Sequence, residues 1–369
     1  MTRSTKTDSM YTGDLLQYCT TVKLFEPTAP TNEQHQYRLY PYQMKKYISR
    51  EAASYVSSGL KNQSFDVVHA EGYYLLQHVS INCGIPIILI EHNVEHILAL
   101  QRFLLARRHK DKSYFWSEYL KTLRWEKFMW KRATVCIALT REDKNTIEQQ
   151  VPSIDVRTIP NGSDHHKMIE QTSLYNGFED NEAAVDNCPS ILFIGNFAYE
   201  PNVDGALYFC RDIFPIILKA LPNVRLYLVG NAPPSEIRSL TSNRQIKVTG
   251  RVDSVIPFYK QAQVVVCPLR IGGGVKVKVL EALYLGKAVV STSIGAQGLD
   301  LSNYRALTVA DDASDFAEKV IQFLLHPEKR RMQEQEALDY ARTLPTWDQV
   351  SDAFAQLYKE IADSRVTKY

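Results

Sequence analysis

The chain has 369 residues, of which 45% are hydrophobic and 23% are charged, and its formal net charge is only +2. This length suits two domains rather than one core, and the near balance of charge predicts no nucleic-acid partner. A polar N-terminus, no apolar run of roughly 20 residues and six scattered cysteines predict a cytoplasmic protein without a metal cluster or a disulfide framework.

The first half of the chain predicts a small parallel α/β domain. Short apolar runs read as buried strands at 65–69, 85–90, 134–139 and 156–159. Residues 102–132 read as one long helical stretch, rich in charge and aromatic side chains. The first domain is assigned to 1–165, with the interdomain connection within 163–189.

The second half alternates strands and helices more clearly. Strands are predicted at 191–194, 224–229, 246–249, 264–268, 288–291 and 307–309, and helices at 203–221, 235–240, 255–262, 276–285 and 314–325. Such alternation predicts a doubly wound parallel sheet for a second domain at 166–345. Two further helices are predicted at 327–343 and 347–361, and 346–369 is treated as a terminal helical segment.

The loop after the predicted strand at 264–268 has the strongest chemical signal. Three glycines lead into a helix that is predicted to begin near Val275, which directs backbone N–H groups at an anion. The guanidinium of Arg270 offers parallel N–H donors whose geometry suits a phosphate. Lys278 and Glu281 share one helix face and suit a phosphate and a ribose hydroxyl. The alternative is a tight strand–helix turn beside a surface ion pair.

Several segments together resemble a known family. They are PLRIGGGVKVKVLEAL at 268–283, GKAVVST at 286–292, IGNF at 194–197, YEPN at 199–202, LVG at 228–230, VTGRV at 248–252, PNGSD at 160–164, DVVHAE at 66–71 and EHN at 91–93. The chain resembles the retaining "group 1" glycosyltransferases, of the glycosyltransferase family four type. The resemblance implies the GT-B fold, an α/β architecture of two Rossmann-like domains that face each other across a cleft.

The resemblance also implies a donor site for a nucleotide-diphosphate sugar of the UDP or GDP type, used as a substrate, with no cofactor and no metal. Arg270 and Lys278 resemble the cations that offset the charge of the diphosphate, and Glu281 resembles the glutamate that holds the ribose. The other implied donor contacts are Gly195 and Asn196 for the diphosphate, Arg251 and Val252 for the base, and the loop residues Gly272, Gly273, Gly274 and Val275. The terminal helix resembles one that returns to the first domain.

The acceptor side has weaker candidates. His69 and Glu71 are predicted to follow one strand, and His92 follows another. The family often places a histidine near the transferred sugar, but a histidine at a strand end is equally often structural. The acceptor is expected to be a glycan, a lipid-linked or a small molecule, as in polysaccharide biosynthesis. Residues 102–116 could contact such an acceptor or the inner face of a membrane peripherally; a solvated helix face is the simpler interpretation.

One departure from the family bears on activity. The strand, glycine-rich loop and helix with which relatives begin have no counterpart in this sequence, so the first domain is expected to lack its opening unit. Three functions therefore remain: an active hexosyltransferase, a catalytically weak pseudoenzyme or partner subunit that binds nucleotide sugars, and a sugar-nucleotide epimerase. The epimerase is disfavoured because the donor loop has no carboxylate set for acid/base work.

Overall fold

The computed structural model of the chain describes residues 12–27, 37–62, 65–162 and 188–366. They belong to two α/β units, one made of Met1–Ile159 with Asp352–Tyr369 and the other of Pro160–Ser351. The predicted connection at 163–189 lies outside the described residues except for its last two positions, as do Ser163 and Asp164 of the PNGSD segment.

The first unit contains a four-stranded parallel sheet in the simple order β1-β2-β3-β4. Its strands are β1 (Val68–Glu71), β2 (Ile87–Glu91), β3 (Val135–Ala138) and β4 (Asp155–Thr158). Its helices are α1 (Thr12–Leu15), α2 (Tyr42–Lys46), α3 (Arg50–Asn62), α4 (Glu95–Leu105), α5 (His109–Trp130) and α6 (Arg141–Gln150), with a 3₁₀ turn at Tyr73–His78. Within 12–27 and 37–62 no strand precedes β1.

The first strand begins later than its apolar run predicts. Hydrogen bonding to β2 covers Val68 to Glu71, and Glu71 pairs with Ile90. His69 and Glu71 therefore lie within β1 rather than after it, which corrects the prediction. Since successive strand residues point to opposite faces, the two side chains lie on the same face of the sheet.

The predicted single helix at 102–132 is in fact two helices. Helix α4 ends at Leu105, and Ala106 and Arg108 have extended backbone angles before α5 begins. A connection this short makes the helices an αα-hairpin. The break lets both helices pack within one unit, which a single straight rod could not do.

A buried carboxylate holds the start of α4. Glu126 of α5 is fully buried and accepts hydrogen bonds from the backbone N–H groups of Glu95 (2.7 Å) and His96 (3.3 Å) and from His96 Nδ1 (2.6 Å). Val94, the residue before the helix, provides no side-chain cap. A side chain from α5 thus satisfies the amides that the first turn of α4 leaves open.

The second unit contains a six-stranded parallel sheet in the order β10-β9-β8-β5-β6-β7. The strands are β5 (Ser190–Ile194), β6 (Arg225–Val229), β7 (Ile246–Gly250), β8 (Val264–Cys267), β9 (Ala288–Ser291) and β10 (Thr308–Val309). All six predicted strands of the second half are present. The sheet separates two cores: Ile191 and Phe193 of β5 belong to one, and Leu192 between them belongs to the other.

Helices cover both faces of this sheet. They are α7 (Glu200–Tyr208), which continues through a π turn (Phe209–Ile213) into α8 (Phe214–Ala220), then α9 (Ser235–Arg238), α10 (Ile256–Gln261), α11 (Val277–Tyr284), α12 (Ala313–Leu325) and α13 (Pro327–Ala341). The last helix, α14 (Trp347–Val366), belongs to the first unit from Asp352 onward. The doubly wound architecture is as predicted. Of the helices within the described ranges, none combines the length and apolar character that crossing a bilayer requires.

Candidate functional site

The strand order of the second unit defines where a ligand should bind. The chain runs outward from β5 through β6 to β7, then returns to β8 on the other side of β5 and continues to β9 and β10. The order therefore reverses between β5 and β8, and in open α/β sheets a crevice forms there beyond the carboxyl ends of the strands. The loop with Gly195 and Asn196 follows β5, and the loop with Arg270 and the three glycines follows β8.

The loop after β5 lies very close to the loop after β6. Gly230 has a φ of +152°, and a Cβ atom built there would lie 1.9 Å from the carbonyl oxygen of Gly195. A Cβ on Gly195 would in turn meet the side chain of Asn202 at 2.8 Å. Neither position has room for a side chain, so the loops after β5 and β6 pack backbone against backbone at the carboxyl ends of these strands.

The glycine loop after β8 is closed by a lysine. Lys276 is buried, and its Nζ donates to the carbonyl oxygens of Gly273 (2.9 Å) and Gly274 (2.7 Å). Helix α11 begins at Val277, one residue after the start of the helix predicted at 276–285, because Lys276 still has extended backbone angles. The amide N–H groups of Gly274 and Val275 donate to no group within the described ranges, which leaves them available to an anion at the helix N-terminus.

Lys278 lies in the first turn of α11 and reaches across to the helix after β5. Its Nζ donates to Oδ1 of Asn202 (2.5 Å) and lies 4.7 Å from the centre of the Phe193 ring. Burial lowers the pKa of Lys278, because a desolvated ammonium is costly. No carboxylate within the described residues forms an ion pair with it. The Lys278 ammonium can therefore form a stronger, charge-assisted hydrogen bond with a bound anion than it forms with Asn202.

Arg270 also reaches to α7, but it is already paired. Its Nε and Nη2 donate to the two carboxylate oxygens of Asp204 at 3.0 and 2.5 Å, and its guanidinium lies 4.6 Å from the centre of the Tyr208 ring. Asp204 and Tyr208 are four residues apart on one helix, so they hold the guanidinium from one face. The two predicted cations thus contact α7 at partners that are two residues apart, Asn202 and Asp204.

Glu281 is one turn further along α11 than Lys278. Its Oε2 accepts a hydrogen bond from the hydroxyl of Tyr259 (3.0 Å), which is fully buried. Burial raises the pKa of Glu281, while the Tyr259 hydroxyl and the charge of Lys278 oppose that rise. One carboxylate oxygen is fixed by the tyrosine, so the other can accept from a ligand hydroxyl.

The two residues predicted for the base lie further along the sheet edge. Arg251 is exposed and Val252 is half-buried, directly after β7. Strand β7 is two positions from β5, which corresponds to roughly 10 Å across the sheet. A nucleotide that reaches both these residues and the glycine loop must therefore extend along the edge of the sheet.

The first unit brings its three predicted residues into one cluster. Glu71 accepts from His69 Nε2 through Oε1 (2.8 Å) and from His92 Nε2 through Oε2 (2.6 Å). The other ring nitrogen of His69 is 2.5 Å from the hydroxyl of Tyr358 in α14. The side chains of His92 and Glu71 are 52% and 49% exposed, so a ligand can reach both of these members of the cluster.

The charges of this cluster reinforce each other. Burial by itself would raise the pKa of Glu71, but the hydrogen bonds from His69 and His92 outweigh it and lower that pKa to about 2. The hydrogen bond to Glu71 raises the pKa of His92, and partial burial opposes it. The Glu71 carboxylate is therefore ionised throughout the physiological range and favours the protonated form of His92.

Some residues of these sites were not predicted as such. Asn202, Asp204 and Tyr259 position the cations and the carboxylate of the donor loop, and Tyr358 fixes His69. Asn202 was visible only as part of the YEPN segment that resembles the family, and Tyr358 only as a residue of the last predicted helix, 347–361. Their roles depend on partners 22 to 289 residues away in the sequence.

Comparisons with known proteins agree with this geometry. Residues 188–326 match the family model described as "Glycosyl transferases group 1", and residues 18–167 match "Glycosyltransferase Family 4". An uncharacterised 44.6 kDa protein of the cps region of Klebsiella pneumoniae is 30% identical over 37% of this chain. That match spans only 37% of the Klebsiella protein.

Solved structures share the fold at low sequence identity. HepE from Anabaena, in complex with UDP and glucose, is 15% identical with a TM-score of 0.64, over 95% of this chain and 89% of its own. Sucrose-phosphate synthase from Thermosynechococcus elongatus is 17% identical with a TM-score of 0.63, over 87% and 82%. The two parallel α/β units thus have the GT-B fold. With the two family matches, they show that the chain belongs to the group 1 glycosyltransferases.

Proposed function

We propose that this chain transfers a hexosyl group from a nucleotide-diphosphate sugar to a hydroxyl group of an acceptor, with retention of anomeric configuration and without a metal. The observation that carries the proposal is the loop after β8. Within the described residues, it presents backbone amides, a half-buried lysine whose partner is a neutral amide and a carboxylate at the point where the strand order reverses. A diphosphate joined to a ribose has the matching chemistry.

In this proposal the donor lies along the sheet edge. The amides of Gly272, Gly273, Gly274 and Val275 and the backbone at Gly195 and Asn196 receive the diphosphate. The free oxygen of Glu281 accepts from the ribose, and Arg251 and Val252 contact the base. Lys278 exchanges its weak neutral partner for a phosphate oxygen, which provides a charge-assisted hydrogen bond.

The chemical step breaks the bond between the anomeric carbon and the phosphate oxygen. The electron pair of that bond moves to the leaving diphosphate, whose growing charge Lys278 and Arg270 stabilise because they are already in position. The acceptor hydroxyl oxygen bonds to the anomeric carbon on the same face. Its proton moves to the leaving phosphate oxygen, so no protein nucleophile is needed.

The cluster of His69, Glu71 and His92 is proposed to serve the acceptor side. Glu71 fixes both imidazoles and favours a protonated His92, which places a positive charge on the acceptor side. His69 is held at both ring nitrogens, so its contribution is to keep the cluster rigid. The acceptor is proposed to be a glycan, a lipid-linked or a small molecule, met in the cytoplasm.

HepE was solved with UDP and glucose, and this favours UDP over GDP as the first nucleotide to test. The experiment is a thermal-shift panel in chelator with UDP, GDP, ADP and their sugar conjugates. Ligand binding to the folded state raises the melting temperature by mass action. We expect a shift with one nucleotide that the Arg270→Ala/Lys278→Ala variant loses. The matched control, Arg211→Ala/Lys219→Ala, removes two exposed cations of the same unit and should keep it.

Transfer is then measured with the nucleotide that binds. Release of the nucleoside diphosphate from its sugar conjugate in chelator, lost in His92→Ala and Lys278→Ala, supports the transferase. The anomeric coupling constant of the product in NMR reports retention. Binding without release of the diphosphate, with any acceptor class, would identify a nucleotide-sugar-binding pseudoenzyme instead. No thermal shift with any nucleotide would refute the donor site.

A further inference from the structure

The α4–α5 hairpin exposes more apolar surface than a solvated helix pair needs. Leu104 is 68% exposed at the end of α4, next to the exposed Leu105. Along α5, large side chains with at least two fifths of their surface exposed are Tyr114, Trp116, Leu120 and Phe128. Single exposed apolar residues are common, but six on one hairpin form a surface that calls for a partner.

The same hairpin is strongly cationic on its outside. Residues 102–131 contain nine lysines and arginines and only three acidic residues, Asp111, Glu118 and Glu126. Glu118 and Glu126 are buried toward the core of the unit. Asp111 is therefore the single acid that remains on the outer surface of this segment.

Helical spacing separates the two faces of α5. The inward face carries Glu118, Thr122, Glu126, Met129 and Trp130. The opposite face carries Leu120, Leu123, Arg124, Lys127, Phe128 and Lys131, which line a shallow groove of about 450 Å³. Apolar and cationic side chains alternate on this outer face, so it can offer both kinds of contact to one flat partner.

We propose that the α4–α5 hairpin docks on the surface of a bilayer that contains anionic phospholipids. Its exposed turn has Leu104 and Leu105 beside Arg107, Arg108 and Lys110. Leucine and aromatic side chains enter the boundary between headgroups and acyl chains, while the lysines and arginines remain at the phosphates. Tryptophan and tyrosine are the side chains that favour this boundary.

Other partners fit the hairpin less well. A second copy of the same surface would bring like charges together. An acidic polysaccharide would match the cations but would leave the leucines and Phe128 in water. A fully solvated face would gain nothing from the six apolar side chains. A lipid surface with negative headgroups is the partner that satisfies both sets of side chains.

The test uses the full chain and vesicles of two compositions. One is phosphatidylcholine alone, and in the other roughly one third is replaced by phosphatidylglycerol, as an anionic surface. Binding is measured by co-sedimentation at low and high salt. One variant removes charge, Arg107→Ala/Arg108→Ala/Lys110→Ala, and another removes apolar surface, Leu104→Ser/Leu105→Ser.

The matched controls lie on α13 of the second unit. Lys329→Ala/Arg331→Ala removes two exposed cations, and Met332→Ser removes an apolar side chain that is 71% exposed, close to the exposure of Leu104. Circular dichroism and thermal unfolding check that every variant is folded. All substituted positions are exposed, so the fold should tolerate them.

We expect binding to the anionic vesicles that weakens at high salt. Each cation near such a surface strengthens binding about fivefold, so the triple variant should bind roughly 100-fold more weakly. The double serine variant should lose about tenfold or more, and the controls should bind like the native chain. No binding to anionic vesicles, an equal loss in the controls, or binding to a soluble polyanion such as heparin with none to vesicles would each overturn the proposal.

Discussion

Replacing Glu126 should destabilise the first unit more than any surface change. Its carboxylate accepts two backbone N–H groups of α4 and one imidazole N–H, and it is fully buried. Glu126→Ala leaves these donors without an acceptor and creates a cavity. Burial lowers the pKa of His96 to about 4, so its imidazole is neutral at neutral pH and donates a hydrogen bond rather than forming an ion pair. A buried donor left unpaired costs about 1–3 kcal/mol, and the cavity adds to that cost. Three donors and a cavity together give an expected loss of about 3–5 kcal/mol.

A second variant separates the stability cost of the lost side-chain volume from that of the lost hydrogen bonds. Glu126→Gln keeps the shape and one carbonyl oxygen, so at least one of the three donors remains satisfied. Its expected cost is smaller, about 1–2 kcal/mol. Glu148→Ala is the control, because Glu148 forms an exposed pair with Lys144 at 3.6 Å. Such pairs contribute about 0–1 kcal/mol.

The assay is urea unfolding followed by tryptophan fluorescence. Three of the four tryptophans, Trp116, Trp125 and Trp130, lie in α5, and Trp347 lies in the second unit. In a Trp347→Phe background the signal therefore reports the helix that carries Glu126. If Glu126→Ala costs less than about 1 kcal/mol, or no more than Glu148→Ala, the carboxylate does not hold α4 and the reasoning fails.

Four further predictions concern the two sites. Lys278→Gln should weaken nucleotide binding roughly 10- to 100-fold in calorimetry, because it removes a charge-assisted hydrogen bond; unchanged affinity would contradict the assignment. Tyr259→Phe should weaken UDP binding a few-fold yet leave pyrophosphate binding unchanged, since the tyrosine positions the carboxylate that we assign to the ribose. Gly230→Ala should prevent folding of the second unit, as seen by circular dichroism, because its Cβ would overlap a neighbouring carbonyl oxygen. Glu71→Gln should lower the pKa of His92 toward its usual value near 6.5 in an NMR titration of the imidazole. The Glu71–His92 pair stabilises the folded state fully between pH values near 4.5 and 6.5, which are the unfolded pKa values of the two groups. This stabilisation is lost as the pH rises through the raised pKa of His92, and also as the pH falls to the pKa of Glu71, about 2.

The sequence by itself determined the architecture of the second unit. Its strands are buried on both faces, so they appear as continuous apolar runs between helical segments, and each predicted strand is present. The position of the glycine loop after β8 followed from the same pattern, because a parallel strand places its carboxyl end at the ligand edge of the sheet. These features are local, and local spacing is what a sequence displays.

The sequence was less informative about the first unit. The run at 65–69 predicted a strand, but hydrogen bonding to β2 places that strand at Val68–Glu71. The helical pattern continued across Ala106 to Arg108, and only packing within the unit shows why the chain turns there. Strand ends and helix breaks depend on neighbours that periodicity does not identify.

The tertiary structure alone decided which partner each functional side chain has. Arg270 is paired with Asp204, Lys278 with Asn202 and His69 with Tyr358, across 66, 76 and 289 residues of sequence. Spacing could show that a lysine and a glutamate share a helix face. It could not show that the arginine is already neutralised while the lysine is half-buried beside a neutral amide. That difference depends on desolvation and on contacts between distant segments, which exist only once the chain has folded.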